Sequence, residues 1–487
     1  MNCLRIIYIA LFILATATVF SQTSNFNNSW INFSNPLQKY YKIKIAVDSL
    51  YKIDSTYLAN AGIPISTINP QNIQLFQKGK ELYPYIAGEA DGVLNTNDYI
   101  LFYAEKNSGL DDSLLFFLTP SAPFITNPYY SVVNDTAAVF ITWNNSTNNH
   151  RLTLNTDTTF SSYNSSPYYL RNVFSTQVDY SSGPYNNVNQ NDPRYVTGEG
   201  FVSGEPSNIP FPGFSFNTSA AYTGPGAPTP YATVCFSGAN DIASVTPDHL
   251  IDINYQGGGT PQPLGSYSVD AYDSYRYTYP LSLGAFNMGG STTIRVNPLP
   301  NPLTTIPDYV NTNYINVTYA QTFNMLGQQQ EKIYLPNDGQ VQSKLSITGF
   351  DNQHVQPILI DNSNHKITFC TASSSFQVLV PNGGGTNFCF LTSWANVLAA
   401  KTLPISAVNG TGTFVDYLSQ GNLDSVFIIV SHPKLINAPA TGVTQYANFR
   451  HNDPNGGNYN TMVASINDLY DQFAYGVERN PFAIKNF

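Results

Sequence analysis

Val426-Phe427-Ile428-Ile429-Val430-Ser431-His432-Pro433 is the stretch that decides the fold of this chain. An apolar run without alternation is the signature of a strand covered on both faces, as in a parallel sheet, and Ser431-His432-Pro433 closes it. A helix-compatible stretch follows from about Leu435 to Arg450, broken by Pro439 and Gly442, and the Asn455-Gly456-Gly457 turn leads into a second strand at Tyr459 to Ile466. Strand, crossover helix and strand make a βαβ unit whose two strands run parallel. Beyond it, Asp468-Leu469-Tyr470-Asp471-Gln472-Phe473 leads to Gly476. Asn480-Pro481-Phe482-Ala483-Ile484-Lys485-Asn486-Phe487 then opens a further helix with a cap and an early proline. Two parallel strands with so few helices cannot cover both faces of a sheet. Residues 424–487 are therefore expected to be the beginning of a larger α/β domain, and the chain an N-terminal fragment of a longer polypeptide.

Upstream of residue 424 the texture is β. Tyr41, Ile43, Ile45 and Val47 alternate with Lys42 and Lys44, which predicts a strand with one buried side. Ser55 is expected to cap a short helical turn around Tyr57 and Leu58 that ends at Gly62, and Ile73, Leu75 and Phe76 start a strand closed by Lys78-Gly79. Asp91-Gly92-Val93-Leu94-Asn95-Thr96-Asn97-Asp98 is rich in oxygen ligands, but its order does not match an EF-hand, and it reads as an Asp-Gly hairpin turn. Between about residues 200 and 325, short runs such as Thr233–Phe236, Leu250–Tyr255, Thr292–Val296 and Tyr314–Tyr319 are separated by Gly, Pro, Asn and Ser, the spacing of a sandwich or jelly roll. Pro357–Ile360 and Phe376–Val380 belong to a second β region. The glycine triplets at 257–259 and 383–385 lack the Lys-Ser/Thr of a phosphate loop and read as loops between strands. The expected division is a signal peptide at 1–21, an N-terminal β-rich (α+β or β) domain at 22–199, a β-sandwich at 200–330, a second β-rich region at 331–423 and the α/β beginning at 424–487. The fold class is mainly β.

Composition narrows the setting. With 487 residues, the chain has room for about three domains at roughly 150 residues each. Only 11% of residues are charged while 14% are aromatic, and the net charge of −10 excludes nucleic-acid binding driven by phosphate neutralisation. Arg5, the apolar run from Ile6 to Phe20 and the small residues before Gln22 read as a cleaved secretory signal, and no later run is long enough to span a membrane. Export leaves Cys235, Cys370 and Cys389 in the mature chain, an odd number, so at least one thiol is unpaired. Cys370 and Cys389 flank a strand and a glycine turn; a hairpin-bridging disulfide and two buried free thiols are both compatible with that placement.

The block from Asp424 to Phe487, with Ile428-Ile429-Val430-Ser431-His432-Pro433-Lys434, Ile466 to Gly476 and Asn480 to Phe487, resembles the opening of a gingipain-type cysteine peptidase domain. Upstream, Tyr51-Lys52-Ile53, Asp91-Gly92, Asp98-Tyr99-Ile100, Phe140-Ile141-Thr142-Trp143, Thr197-Gly198-Glu199-Gly200-Phe201 and Asp308-Tyr309-Val310 resemble, in order, the long N-terminal region of the type IX secretion sortases of Bacteroidetes. The resemblance implies a caspase-like α/β catalytic domain, a cell-surface, outer-membrane-associated or extracellular location, protein or peptide substrates including secretion cargo, and outer-membrane partner proteins. It also implies a catalytic His and a catalytic Cys on later strands, beyond Phe487, so no residue of this chain is expected to be catalytic, and no cofactor or metal is implied.

The residues that are present support that expectation. His432 ends a parallel strand, where α/β sites collect, but His-Pro there reads as a loop closing the strand. Cys370 and Cys389 match no nucleophile motif. His150, His249, His354, His365 and His451 are scattered among polar loop residues without ligand spacing. Asp468 and Asp471 could flank a substrate groove, although helix capping is the commoner use of such residues. The alternative is an exported β-sandwich adhesion or carbohydrate-binding protein, for which the many tyrosines and Trp143 would offer stacking surfaces, though such aromatics are more often core.

Overall fold

The computed structural model describes residues 27–115, 125–184, 195–207, 213–399, 404–419, 426–439 and 441–487; the segment expected to be a signal peptide, 1–21, lies outside them. The Tyr41–Ile45 strand buries Tyr41, Ile43 and Ile45 and turns Lys42 and Lys44 to the other face. It pairs antiparallel with Ala137–Trp143 on one side and Ile405–Ala407 on the other. A second small sheet joins Ser49–Asp54 to Tyr99–Ala104 and Tyr85–Ala87, with Leu398–Ala399 parallel on its edge. The two sheets share a core of alternating residues, among them Ile43, Ile45, Tyr51, Ile53, Phe102, Val139 and Ile141.

Local expectations fail here where a neighbouring side chain takes over. Val47 is 53% exposed, because the strand ends at Ile45 and the chain turns at Asp48, whose carboxylate accepts from Lys106 N. Asp54, not Ser55, caps the Ser55–Asn60 helix, its Oδ1 accepting from Tyr57 N at 2.8 Å, while Ser55 is buried in the first turn. Residues 88–98 form a long loop rather than a tight hairpin turn. Asp91 accepts from Val93 N and Asp98 from Asn95 N, so both carboxylates are used to shape the loop.

A ten-stranded sheet forms the middle of the chain. Its path runs Ser274–Pro280, Tyr231–Gly238, Val310–Gln321, Tyr169–Phe174, Glu331–Leu335, Asn387–Ser393, Pro357–Asp361, Lys366–Phe369 and Thr153–Leu154, and the tenth strand, Gly204–Ser207, pairs with Val310–Gln321 off this path. One half packs on a four-stranded sheet of Phe214–Asn217, Ser291–Leu299, His249–Gln256 and Gln262–Val269, with Val234, Phe236, Ile251, Ile253, Ile294, Val296, Ile315 and Val317 interdigitating between them. The other half is covered by the Gln342–Ile347 and Phe376–Pro381 pair. Strands from both sides of residues 199 and 330 thus pair in one sheet. Arg171 makes that junction polar: its guanidinium reaches Glu331 at 3.2 Å, Gln321 at 3.1 Å and Tyr319 at 3.3 Å across three strands. The glycine triplets lie in loops between strands.

At the C-terminal end, Val426–Ser431 and Asn460–Ser465 pair parallel over their whole length, linked by the Pro433–Ile436 and Gly442–Asn452 helices. The Ile466–Phe473 and Phe482–Asn486 helices follow, and Met462, Ala464, Leu469, Phe473 and Ala483 form their core. The apolar run predicted burial on both faces, but Ile428 is half exposed and its neighbours in the strand are only half buried. Two strands give helices little width to cover. Phe427 instead packs against the Arg450 guanidinium, 4.2 Å from its ring centre, and Tyr459. Among the described residues no helix is long and apolar enough to cross a membrane.

Candidate functional site

The α/β unit is held by a specific seat on the N-terminal sheet. The Ile466–Phe473 helix turns its Asp471 carboxylate to Lys42 Nζ, which donates at 2.6 Å, and both side chains are about nine-tenths buried. Glu478 adds Lys44 at 2.8 Å at the rim. Between them, the Tyr475 hydroxyl donates to Asn27 O and accepts from Asn27 N. Gly476, at φ +83°, lies so close to the sheet that a Cβ there would stand 2.4 Å from Ala138 Cβ and 3.1 Å from the Phe140 ring. Only glycine fits that combination of left-handed backbone and close approach. The sequence reading puts Lys42 and Lys44 on the face opposite the buried one, includes Tyr475 only as part of the Ile466 to Gly476 segment, and gives Glu478 no role. Their alternation was visible, but their partners lie hundreds of residues away.

Asp468 and Asp471 do not cap the helix; Ser465 occupies the cap position without a side-chain bond. Asp468 is fully buried and accepts from Asn409 Nδ2, and burial pushes its carboxyl up to about 6 against the pull of the nearby Tyr417 and Asn409 side chains. Burial also raises Asp471, with Lys42 pulling against it. A pocket of about 550 Å3 adjoins these groups, walled by Phe33, Leu418, Ile428, Met462 and Phe487. Gln472 lines it with a carbonyl oxygen that is buried without a hydrogen-bond partner among the described residues. The pocket offers an apolar slot with Asn28, Asp416, Gln472 and Asn486 among its lining, groups that can hold a side chain but supply no thiol or imidazole among the described residues to attack one.

His432 is exposed and caps the Pro433–Ile436 helix, its Nδ1 accepting from Lys434 N at 3.1 Å. The cysteines lie elsewhere: Cys370 and Cys389 are in the core with Leu359 and Leu391, and Cys235 is in the Tyr231–Gly238 strand. All three are buried free thiols, so no hairpin disulfide forms. Burial pushes the Cys370 thiol up to about 12 and holds Cys235 and Cys389 well above the ordinary thiol value. A thiol needs a lowered, not a raised, pKa to be a nucleophile.

His249 departs from the loop placement expected of it. It begins a strand, is fully buried, and has acceptors at both ring nitrogens: the Asp308 carboxylate at Nδ1, and Asn240 O at 2.9 Å and Ala271 O at 2.8 Å at Nε2. Burial opposes a charge on this ring, yet Asp308 and Asp248 outweigh it and raise the pKa. It is a structural pin in the sandwich. His451 Nδ1 bonds Tyr459 O, and His150 and His365 stack on Tyr83. Trp143 stacks on Tyr41 against the N-terminal core and offers no free platform.

A β body of several sheets carrying a parallel α/β unit is the class of protein that these features define. Among solved structures, the chain is similar to the crystal structure of dimeric latent PorU from Porphyromonas gingivalis, with a TM-score of 0.52 and 12% identity over 91% of this chain and 38% of that one. The fold is PorU-like, and the chain spans 38% of the length of that relative. A second structure, that of the STIV MCP, aligns at a TM-score of only 0.15 and carries no argument. No family model and no curated protein matches the sequence.

Proposed function

We propose that this chain is the N-terminal part of an exported, surface-associated gingipain-like cysteine peptidase of the type IX sortase kind. In this reading the β body carries and positions the catalytic α/β domain, and the full protein cleaves or transfers peptides of secreted cargo alongside outer-membrane partners. The observation that carries it is the parallel strand–helix–strand unit keyed by Asp471 and Gly476 into the N-terminal sheet of a chain with a PorU-like fold. The catalytic His and Cys then lie on residues after Phe487. A thiolate there would attack the scissile carbonyl, with the imidazole as its base. The residues in hand contribute positioning: Lys42, Asp471 and Gly476 fix the first helix after the second parallel strand, and the apolar pocket beside Gln472 accepts whatever packs on that sheet.

The test is chemical. The product of the full coding sequence, treated with a peptide electrophile that traps cysteine nucleophiles, should be labelled at a cysteine after residue 487. Labelling at Cys235, Cys370 or Cys389, or no thiol-dependent turnover at all, would overturn the proposal. The 487-residue chain alone should hydrolyse no peptide.

A further inference from the structure

A cleft of about 330 Å3 opens at the rim of the seat that joins the α/β unit to the N-terminal sheet. Its volume lies at the lower end of the range of about 300–1,000 Å3 typical of small-molecule sites. Two parts of the chain wall it: Lys44, Asn134 and Thr136 belong to the sheet and its loop, and Glu478 and Arg479 to the turn after the Ile466–Phe473 helix. Its donors are within reach of solvent. Arg479 is exposed and makes no ion pair or hydrogen bond with a described residue, and Lys44 keeps 43% of its side-chain exposure. Asn134 accepts from Thr136 N at 3.0 Å with its amide oxygen, which leaves the Nδ2 end to donate, and its backbone O accepts from Asn107 Nδ2 at 2.8 Å and holds the loop. Asn134 Nδ2 and the Thr136 hydroxyl have no hydrogen bond among the described residues; both residues are half-buried, with these atoms open to solvent. Arg479 sits at φ +66°, left-handed backbone that costs a residue with a Cβ about 1–2 kcal/mol, so the turn imposes the position of this side chain.

The charges choose the ligand class. Glu478 puts a carboxylate on the wall, but it is already shared: Lys44 donates to it at 2.8 Å and Lys42 Nζ lies 3.7 Å away. Burial opposes the Glu478 charge, yet the two ammonium groups outweigh burial and hold the carboxyl below its ordinary value. Asp135, between Asn134 and Thr136, is engaged elsewhere, accepting from Ser131 N at 2.8 Å and pairing with Lys106 at 3.2 Å. What remains is a guanidinium without a counter-ion beside three further donors, Lys44 Nζ, Asn134 Nδ2 and Thr136 Oγ1. A cation is repelled by such a wall, and a neutral sugar or peptide leaves the guanidinium charge unanswered. An oxyanion meets it, because carboxylate and phosphate oxygens match the guanidinium fork and accept charge-assisted hydrogen bonds. The donors come from both sides of the seat, so an oxyanion held by them ties the α/β unit to the sheet.

We propose that this cleft is an oxyanion site, taking the carboxylate or phosphate group of a small ligand between Arg479 and Lys44, and that its occupant strengthens the seat of the α/β unit. It stands independently of the peptidase reading. The test is calorimetric titration of the full chain with inorganic phosphate and with succinate, at constant ionic strength in chloride, with glycerol as the neutral rival. At least one of the two anions should bind saturably, with a Kd of about 5 mM or tighter, and which of them binds tells phosphate from carboxylate recognition. Arg479→Gln should weaken that binding by about tenfold or more, and Glu478→Gln should tighten it by about threefold or more by removing the competing carboxylate. Lys434→Gln, in the Pro433–Ile436 helix and no part of the wall, should leave it unchanged. At saturation, hydrogen exchange of the 466–478 amides should slow by about threefold or more in the unaltered chain and not in Arg479→Gln. Circular dichroism checks folding; should Arg479→Gln fail to fold, the direction of the Glu478→Gln effect decides. No saturable binding of either anion, binding matched by glycerol, binding that survives Arg479→Gln or falls equally in Lys434→Gln, a Glu478→Gln variant that binds no more tightly, or exchange unchanged at saturation would overturn the proposal.

Discussion

Replacing Lys42 by Met tests whether the α/β unit is truly seated by its buried ion pair. Lys42 and Asp471 side chains retain 12% and 7% of their exposure and meet at 2.6 Å, whereas Lys44 and Glu478 keep 43% and 42% and meet at 2.8 Å. Removing one partner of a buried pair leaves an uncompensated charge and costs about 3–5 kcal/mol, while a half-exposed pair is worth roughly 0.2–1 kcal/mol once solvent screening is counted. Burial already raises the Asp471 carboxyl despite Lys42, so without Lys42 the carboxyl rises further. An acid whose folded pKa is raised loses stability as pH climbs through that value, so the Lys42→Met deficit should be larger at pH 8 than at pH 5. Because the chain has several cores, a single unfolding midpoint would blur the effect. Hydrogen exchange of the 466–478 amides reads local opening directly. Lys42→Met should speed their exchange by about two to nearly four orders of magnitude, and Lys44→Met by less than about tenfold. Lys42→Met combined with Asp471→Leu should recover most of the protection, because a buried pair replaced by apolar groups is near neutral. Exchange in Lys42→Met within about threefold of Lys44→Met would refute the seat.

Three further outcomes follow from the buried titratable groups. Asp468 is raised by burial from 3.8 to about 6, so its charged form is penalised in the fold above that pH; Asp468→Asn, which keeps an acceptor for Asn409, should stabilise the α/β unit at pH 8 by up to about 3 kcal/mol and not at pH 4. Equal effects at both values would contradict it. His249 has a raised pKa, so its contribution is complete below the unfolded value near 6.5 and declines as pH rises through the folded one; His249→Phe should lower the melting temperature more at pH 5.5 than at pH 9. A pH-independent loss would point to packing alone. Cys235, Cys370 and Cys389 should resist iodoacetamide at pH 8 until denaturant is added, and rapid labelling of any of them in the native protein would show that burial does not silence it.

Much of the β body was legible because its signals are local. Tyr41, Ile43 and Ile45, or Ile251 and Ile253, alternate with polar residues over a single strand, and that period places one face inward whatever the partner strand is. The βαβ unit was legible for a related reason: an unbroken apolar run, a break at Pro-Gly residues and a turn follow in order along the chain. Exposure of Ile428 was not, since coverage depends on what packs above a strand. His249 reads as one of several histidines scattered among polar loop residues, while Asp308, whose carboxylate raises the pKa of the ring, is 59 residues away.

The sequence by itself determined the element types, the mainly β class, the parallel unit at the C-terminal end and the lack of any nucleophile motif in the cysteines. Tertiary structure decided which strands share a sheet, which lysine is buried and which carboxylates feel their burial. Lys42 and Asp471 are 429 positions apart, and desolvation acts through space rather than along the chain. Periodicity shows which way a side chain faces, but only the folded partner determines whether that face meets water, an apolar wall or an opposite charge.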